Sequence, residues 1–280
     1  MNGGRITTSD FRSWKGVRQI SMLTAYDFTL AQILDQSGID AILVGDSAAN
    51  VMAGHTSTLP ITLSEIIYHA QGVLRGSQRA LVVVDMPFGS YQAGVSDALR
   101  AGIRIIKETH AQALKLEGGE EIEKQIRSLI DAGIPVMGHL GLRPQSVHQL
   151  GGYPLQATHP KEKTKLLKEA SLLENWGCFG LILEKVPQEL AQEVKKQCKY
   201  PVIGIGAGPN LDGQILVTQD MLGMTSQPLP KFVRRYAKLK TIIEEAVQHY
   251  MKDVQAQEFP HPQEEAYSTH PEHHSPNTSK

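Results

Sequence analysis

The chain has 280 residues, of which 41% are hydrophobic and 20% charged, so it is long enough to bury one sizeable core. It has no apolar run near the roughly 18 residues that a membrane-spanning helix needs, and its 28 basic and 29 acidic residues form no basic stripe. We therefore expect small-molecule substrates and neither a membrane nor a nucleic-acid partner. The polar N-terminus and the two cysteines, which lack a CxxC spacing, predict a cytoplasmic protein.

Short apolar runs rich in β-branched residues alternate along the chain with longer stretches of 3.6-residue periodicity. The runs are apolar at consecutive positions, as in LVVVD, which is typical of parallel strands covered on both faces. A βα repeat of about 250 residues has the size of a (β/α)8 barrel, so we predict this α/β fold, a TIM barrel, over residues 1–256. The predicted strands are 20–26, 41–47, 80–87, 113–118, 135–140, 180–186, 201–206 and 214–218, with helices such as 64–75 and 120–132 between them.

Glycines mark the predicted ends of four helices, at Gly38, Gly76, Gly133 and Gly177, where we expect C-terminal caps. Two long segments, residues 48–60 and 141–160, follow the second and fifth strands. In a barrel both would lie on the C-terminal face, where ligands bind, and we interpret them as lids.

The composition changes near Glu258 to Pro, His, Ser, Thr and Glu. A segment this polar adds nothing to a core, so residues 257–280 are predicted to be a disordered tail. Its histidines suggest a metal cluster, but the favoured interpretation is a solvated end that binds metal only opportunistically. These histidines are His261, His270, His273 and His274.

Charged residues stand at the ends of four apolar strands. Asp46 ends the second strand, Asp85 the third, Lys115 and Glu117 the fourth, and Glu184 the sixth. The strand ends of a parallel barrel converge at one mouth, where an unpaired buried carboxylate is costly unless a function requires it. Because side chains alternate along a strand, Lys115 and Glu117 should both point into this mouth.

The charged residues at these strand ends predict a cation site and a base. Clustered carboxylates with one candidate histidine and no nearby cysteine suit Mg²⁺ better than Zn²⁺. A Mg²⁺ ion with open positions can bind a 2-oxo acid and stabilise the enolate formed on proton loss. Glu184 follows the apolar residues LIL and is the candidate base with a raised pKa, while Lys115 would face the substrate carboxylate.

Several of these residues also have a structural interpretation. Asp46 and Asp85 could each cap a following helix. Lys115 could form a Schiff base, although a lysine beside Glu117 more often pairs with an anion. His139, at the end of the fifth strand, is either a structural histidine or one that orients the substrate.

The glycine run at 204–208 reads GIGAG and precedes another strand. A dinucleotide-binding fingerprint needs a different glycine spacing and a helix after it, so that interpretation is excluded. In a barrel the backbone of this run is expected to line the ligand site.

A set of motifs runs in order through residues 5–255: ITTSDFRSWKG, MLTAYDF, LVGDS, GHTSTLPIT, RALVVVDMPFGSYQ, LKLEGG, PVMGHLGLRPQSV, GGYPLQ, LILEKVP, PVIGIGAG, DGQILV and PKFVRRYA. In these motifs the chain resembles the ketopantoate hydroxymethyltransferase family. The resemblance implies a barrel of the phosphoenolpyruvate/pyruvate type. It also implies an enzyme of pantothenate synthesis that transfers a one-carbon unit from 5,10-methylenetetrahydrofolate to 3-methyl-2-oxobutanoate, giving 2-dehydropantoate and tetrahydrofolate.

The resemblance further implies one Mg²⁺ per subunit and a homo-oligomer, in this family a homodecamer. By resemblance, Asp46, Asp85 and Glu117 surround the metal, and Glu184 is the proton acceptor. The residues expected to hold the 2-oxo acid are Asp46, Ser47, Asp85 and Lys115, to which we add His139 as a substrate-orienting residue.

Ala48, Ala49 and Asn50 stand where the family usually has LGM, and we expect this departure to affect loop closure or substrate affinity. Two other functions are alternatives for a barrel with this sequence. A carbon–carbon lyase or mutase on a 2-oxo acid would carry a cysteine-bearing catalytic loop, whereas Cys178 and Cys198 precede the sixth and seventh strands. A non-catalytic oligomeric barrel would not need the converging charged strand ends.

Overall fold

Eight parallel strands close into a barrel in the computed structural model, which describes residues 4–226 and 228–267. Each strand pairs with the next along the chain, and β8 pairs with β1. The (β/α)8 prediction is confirmed, and most strands end earlier than predicted because the following residues turn into loops. The strands are β1 Ile20–Thr24, β2 Ala41–Val44, β3 Leu81–Asp85, β4 Ala113–Glu117, β5 Val136–Gly141, β6 Gly180–Glu184, β7 Val202–Ile205 and β8 Gly213–Leu216.

Helices surround the barrel and also occupy both segments predicted to be lids. Segment 48–60 begins with the short helix α3, and segment 141–160 contains a 3₁₀ turn, Pro144–Ser146, followed by α7. The helices are α1 Thr8–Ser13, α2 Phe28–Gln36, α3 Ala48–Val51, α4 Leu63–Gly76, α5 Val95–Thr109, α6 Glu123–Asp131, α7 Val147–Leu150, α8 Pro160–Asn175, α9 Gln188–Gln197, α10 Thr218–Met221 and α11 Leu239–Ala256. None of the described helices is both long and apolar enough to cross a membrane.

Two apolar clusters form the core, one inside the barrel and one between the strands and the helices. On β3, Leu81 and Val83 belong to the inner cluster, whereas Val82 and Val84 pack towards the helices. The next inward position is Asp85, which is 2% exposed. The alternation of side chains along a strand therefore carries a carboxylate into the barrel mouth.

The same alternation operates on β4. Ala113 belongs to the inner cluster, and Leu114 and Leu116 belong to the outer one. Lys115 and Glu117 consequently face inward, and both are buried. The prediction that these two side chains share the inward face is confirmed.

The glycines at the predicted helix ends have two different roles, capping a helix and allowing close helix packing. Gly38, Gly133 and Gly177 have positive φ after their helices, as predicted for caps. The same prediction for Gly76 is wrong, because Gly76 is the last helical residue of α4 and lacks a left-handed φ. A β-carbon there would overlap the carbonyl oxygen of Phe28 in α2, so this glycine permits close helix packing.

The C-terminal helix α11 is not packed on the barrel, and none of its residues is buried. The residues that follow it, 257–267, are exposed. His261 belongs to this stretch, whereas His270, His273 and His274 lie outside the described residues.

Candidate active site

A cavity of about 540 Å³ lies at the C-terminal mouth of the barrel. Both segments predicted to be lids contribute to its wall, as does Ile205 of the GIGAG run. Thr225 and Phe232, beyond α10, also line it. Phe232 belongs to the motif PKFVRRYA, and no sequence pattern marked Thr225. Every residue predicted to act on the substrate or the cation lines this cavity; these are Asp46, Ser47, Asp85, Lys115, Glu117, His139 and Glu184.

Strand register brings the charged side chains to one level. Asp85 is opposite Lys115, and Glu117 is opposite His139. Glu184 is opposite Gly141, which follows His139 by two residues on the same strand. Because neighbouring residues of a parallel barrel lie at similar heights, four consecutive strands present these groups to one small volume.

Lys115 is the buried cation of this volume. Its Nζ lies 2.6 Å from Asp85 Oδ1 and 3.5 Å from Glu117 Oε1. Burial alone would lower the pKa of Lys115, but the two carboxylates raise it above its usual value. The ammonium therefore stays charged, and the Schiff-base alternative, which needs a neutral amine, is not supported.

The carboxylates around Lys115 carry more negative charge than one ammonium balances. Burial raises the pKa of Asp85 to about 7, although Lys115 opposes the shift. Burial also raises the pKa of Glu117 well above its usual value, and the charges of Asp46 and Asp85 add to this effect. The site consequently favours either protons or a further cation.

Asp46 and Ser47 occupy the turn from β2 into α3. The N–H of Asp46 donates to Asp85 Oδ2 at 3.0 Å, and Ser47 Oγ is hydrogen-bonded to the hydroxyl of Tyr26 at 2.8 Å. The residue flanking α3 is Ser47, which makes no side-chain cap, and the residue flanking α5 is Gly94. The alternative that Asp46 or Asp85 caps a helix is therefore wrong.

His139 links Lys115 to the lid segment 141–160. Its Nδ1 lies 3.0 Å from Lys115 Nζ, and its Nε2 lies 2.8 Å from the carbonyl oxygen of Leu142. Burial, reinforced by the charge of Lys115, lowers the pKa of His139 well below its usual value. We assign the neutral tautomer in which Nε2–H donates to Leu142 and Nδ1 accepts from Lys115. The histidine thereby orients the ammonium.

Glu184 lies at the end of β6, apart from the other carboxylates. Its side chain is 14% exposed, and Oε2 is 3.4 Å from His139 Nε2. Burial raises the pKa of Glu184 to about 7, with Lys115 and Lys185 opposing the shift. This direction agrees with the expectation for a carboxylate preceded by apolar residues.

Gly141 fixes the backbone beneath Glu184. It has φ +87°, a conformation that favours glycine. A β-carbon at this position would overlap the carbonyl oxygen of Glu184. The N–H of Leu142 donates to that oxygen at 2.8 Å, so the lid segment and the end of β6 are held together.

Gln145 is a buried residue of the site that sequence reasoning missed. Its Nε2 donates to Asp46 Oδ2 at 2.9 Å, and its backbone N–H donates to Glu117 Oε2 at 3.0 Å. A glutamine in a loop has no hydrophobic period and no charge to mark it. Its only signal was its place in the PVMGHLGLRPQSV motif.

The chain matches a family model described as ketopantoate hydroxymethyltransferase over residues 5–262. Proteins named 3-methyl-2-oxobutanoate hydroxymethyltransferase are similar over most of their length. That of Bacteroides fragilis (strain YCH46) is 57% identical over 247 residues, covering 88% of this chain and 90% of the relative. That of Christiangramia forsetii is 58% identical over 242 residues, covering 86% and 89%.

Solved structures share the barrel at much lower identity. A 2,3-dimethylmalate lyase, described as a PEP mutase/isocitrate lyase superfamily member, has a TM-score of 0.56 at 15% identity, covering 94% of this chain and 92% of that one. A phosphoenolpyruvate phosphomutase from Streptomyces platensis subsp. rosaceus has a TM-score of 0.59 at 12% identity, covering 90% and 88%. These similarities establish the fold and carry no information on the reaction.

Proposed function

Because this chain belongs to the ketopantoate hydroxymethyltransferase family and is a transferase of one-carbon groups, we propose that it acts on 3-methyl-2-oxobutanoate with 5,10-methylenetetrahydrofolate. The reaction consumes water and yields 2-dehydropantoate and tetrahydrofolate, the first step of pantothenate synthesis. The methylene carbon becomes bonded to C3 of the 2-oxo acid, which loses its proton.

One observation carries this proposal: the cavity holds two chemically different carboxylate environments. Asp85 and Glu117 lie against Lys115, whereas Glu184 lies against a neutral histidine at the other side of the cavity. A reaction that removes a proton next to a carbonyl needs a base separate from the groups that stabilise the developing negative charge. The two carboxylate environments of this cavity support such a division of roles.

We assign the anion-binding role to the Lys115 side of the cavity. The ammonium of Lys115, positioned by His139, would face the carboxylate and carbonyl oxygens of the 2-oxo acid. Ser47 Oγ, held by the hydroxyl of Tyr26, would donate to the same substrate. Glu184 would accept the C3 proton on its carboxylate.

The donor set of the site fits Mg²⁺. Three buried carboxylates, those of Asp46, Asp85 and Glu117, surround the single ammonium of Lys115, and carboxylate oxygens are ligands that Mg²⁺ prefers. As placed, no three His, Cys, Asp or Glu side chains in the described ranges form a ready metal cluster, so water would complete the shell. We propose that Asp46, Asp85 and Glu117 hold the ion, one per subunit. Bound Mg²⁺ would withdraw electron density from the substrate carbonyl.

The two alternative functions have less support. A lyase or mutase of this fold is expected to use a cysteine at the mouth, but Cys178 and Cys198 are free, buried and located before β6 and β7. A barrel without catalysis would not retain Lys115 among buried carboxylates, because burying such charges is costly.

Proton NMR of 3-methyl-2-oxobutanoate in deuterated water tests the proposal. With protein, Mg²⁺ and methylenetetrahydrofolate, we expect loss of the C3 proton signal and a new hydroxymethyl signal. Loss of the C3 proton alone would support the base and contradict the folate step. No change in either signal would contradict the proposed reaction and favour the non-catalytic barrel. The next variant to measure would then carry the family's LGM at residues 48–50.

We also propose that the protein acts in the cytoplasm, which is supported by its free, buried cysteines. The catalytic unit would comprise residues 1–256, with 257–280 as a polar tail. A homo-oligomer, the homodecamer implied by the family resemblance, is supported by the exposed apolar residues of α11.

A further inference from the structure

The side chain and backbone of Gln145 satisfy two carboxylates from different strands. The side-chain Nε2 donates to Asp46 Oδ2, at the end of β2, and to the carbonyl oxygen of Met86 at 3.0 Å. The backbone N–H donates to Glu117 Oε2, at the end of β4. One buried residue of the 141–160 segment thus connects groups that are far apart along the chain.

The orientation of the Gln145 amide is determined by its other contacts. Its Oε1 accepts from the hydroxyl of Tyr91 at 2.7 Å and from Gln92 Nε2 at 3.0 Å. Turning the amide by 180° would place its NH₂ against these two donors and its oxygen against Asp46. Such a rotation would lose the hydrogen bonds to Asp46 and to the Met86 carbonyl oxygen and the one from Gln92, so Nε2 is held towards the carboxylate.

These contacts use one oxygen of each carboxylate. The second oxygen of Asp46 is left to the cavity, and the second oxygen of Glu117 faces Lys115. Within the described residues, no hydrogen bond engages Asp46 Oδ1. Glu117 Oε1 contacts Lys115 at 3.5 Å. A carboxylate fixed through one oxygen presents the second in a defined direction, which is what a group bound at the mouth requires.

We propose that Gln145 is a positioning residue that fixes the carboxylates of Asp46 and Glu117 for a divalent cation and thereby sets the affinity of the site for that cation. The inference rests on the proposed function, because it presumes a cation at these carboxylates. It adds a residue of the lid segment to the machinery of the site.

Mn²⁺ binding, followed by the electron paramagnetic resonance signal of the free ion, tests this role without turnover. Gln145→Leu removes the bonds of the amide and keeps the backbone N–H. We expect Mn²⁺ affinity to fall about 10- to 100-fold, the usual effect of losing a residue that orients metal ligands. Gln149→Leu is the matched control, because Gln149 lies in the same segment, is exposed and lines no part of the cavity; its affinity should equal that of the wild type.

Turnover at increasing Mg²⁺ provides a second readout. If Gln145 acts through cation affinity, excess Mg²⁺ restores most of kcat in Gln145→Leu. A kcat that stays low at all Mg²⁺ concentrations would indicate a merely structural role and overturn the inference.

The outcomes separate this inference from the proposed function. If the wild type binds no Mn²⁺, the cation site fails and the inference fails with it. If the wild type binds and folded Gln145→Leu binds equally well, only the inference fails. Should Gln145→Leu not fold, Gln92→Leu tests the proposal instead, because Gln92 is exposed and donates to Gln145 Oε1. We expect the loss of this hydrogen bond to weaken Mn²⁺ binding about 2- to 10-fold. An unchanged affinity would overturn the proposal.

Discussion

Glu117 and Glu184 are glutamates at the ends of strands of one barrel, and their neighbours give them different properties. Glu117 is held by Lys115 on one oxygen and by the Gln145 N–H on the other. Glu184 has the neutral His139 at 3.4 Å and a pKa raised by burial. A held carboxylate suits charge binding, whereas a less constrained one with a raised pKa suits proton transfer.

The raised pKa of Glu184 predicts the pH dependence of the reaction. A base is active only when deprotonated, so with a pKa of about 7 kcat/KM at saturating Mg²⁺ should rise with pH and level off above about 7. Below that pH the increase should approach tenfold per unit. A profile measured between pH 5.5 and 8.5 that is flat, or that falls as pH increases, would contradict this assignment.

At the residue scale, the charged residues of the site were predictable from the sequence, because a charge within an apolar strand is conspicuous. Asp85, Lys115 and Glu184 were all placed at the mouth on that ground, and they line its cavity. Gln145 was not predicted as a site residue, because only its hydrogen bonds in the folded structure identify the role of a neutral amide in a loop. The neutral state of His139 likewise depends on its burial and on the nearness of Lys115, neither of which any spacing encodes.

At the element scale, strand register places the inward-facing polar side chains of neighbouring strands next to one another and so forms the site. The pairings Asp85 with Lys115 and Glu117 with His139 place two pairs of polar groups side by side. A register shift of one residue would turn these side chains towards the helices. That shift is disfavoured because it would bury the charges of Asp85, Lys115 and Glu117 among the apolar residues between strands and helices.

Helix α4 offers a matched pair of glycines on the face that packs against α2. A β-carbon at Gly76 would overlap the Phe28 carbonyl oxygen, whereas at Gly72 the nearest atom is 3.5 Å away, an ordinary contact. We expect Gly76→Ala to lower the free energy of unfolding by about 1–3 kcal/mol. Gly72→Ala should leave it unchanged or raise it by up to about 1 kcal/mol through helix propensity.

Urea unfolding of the two variants at one pH measures this difference directly. Neither glycine lines the cavity, so turnover of the folded variants should match the wild type. Equal stabilities for the two variants would show that the contact between α2 and α4 is looser than described.

Element types were predictable because every strand is a short apolar run and every long helix has a 3.6-residue period. Strand ends were less predictable, since hydrophobic residues continue into the mouth; Ala48 and Ala49 are buried in α3, beyond the end of β2. The role of Gly76 in helix packing was not predictable, because no sequence pattern indicates that α2 lies against this part of α4.

At the scale of the whole molecule, α11 carries an apolar stripe that the barrel does not cover. The stripe follows helical spacing, and its members are each 43–57% exposed. Its members are Ile242, Ile243, Val247, Tyr250, Met251 and Val254. Contiguous exposed apolar stripes mark association surfaces, which supports the proposed homo-oligomer.

We predict that the double change Ile243→Glu and Val247→Glu dissociates the assembly, because it places charges on the α11 stripe. The control is Thr241→Glu with Gln248→Glu, which adds the same charge at exposed positions outside the stripe. Light scattering after size-exclusion chromatography should give a smaller mass for the first variant only. The same mass for wild type and both variants would contradict an interface through α11.

Removal of the C3 proton by Glu184 is the step on which the proposed reaction depends most. Exchange of the C3 proton of 3-methyl-2-oxobutanoate into deuterated water is followed by NMR for the wild type and for Glu184→Gln, with Mg²⁺ saturating and folate omitted. We predict that the variant folds and binds Mn²⁺ like the wild type but exchanges about 10²- to 10⁴-fold more slowly. Exchange at the wild-type rate in the folded variant would show that Glu184 is not the base.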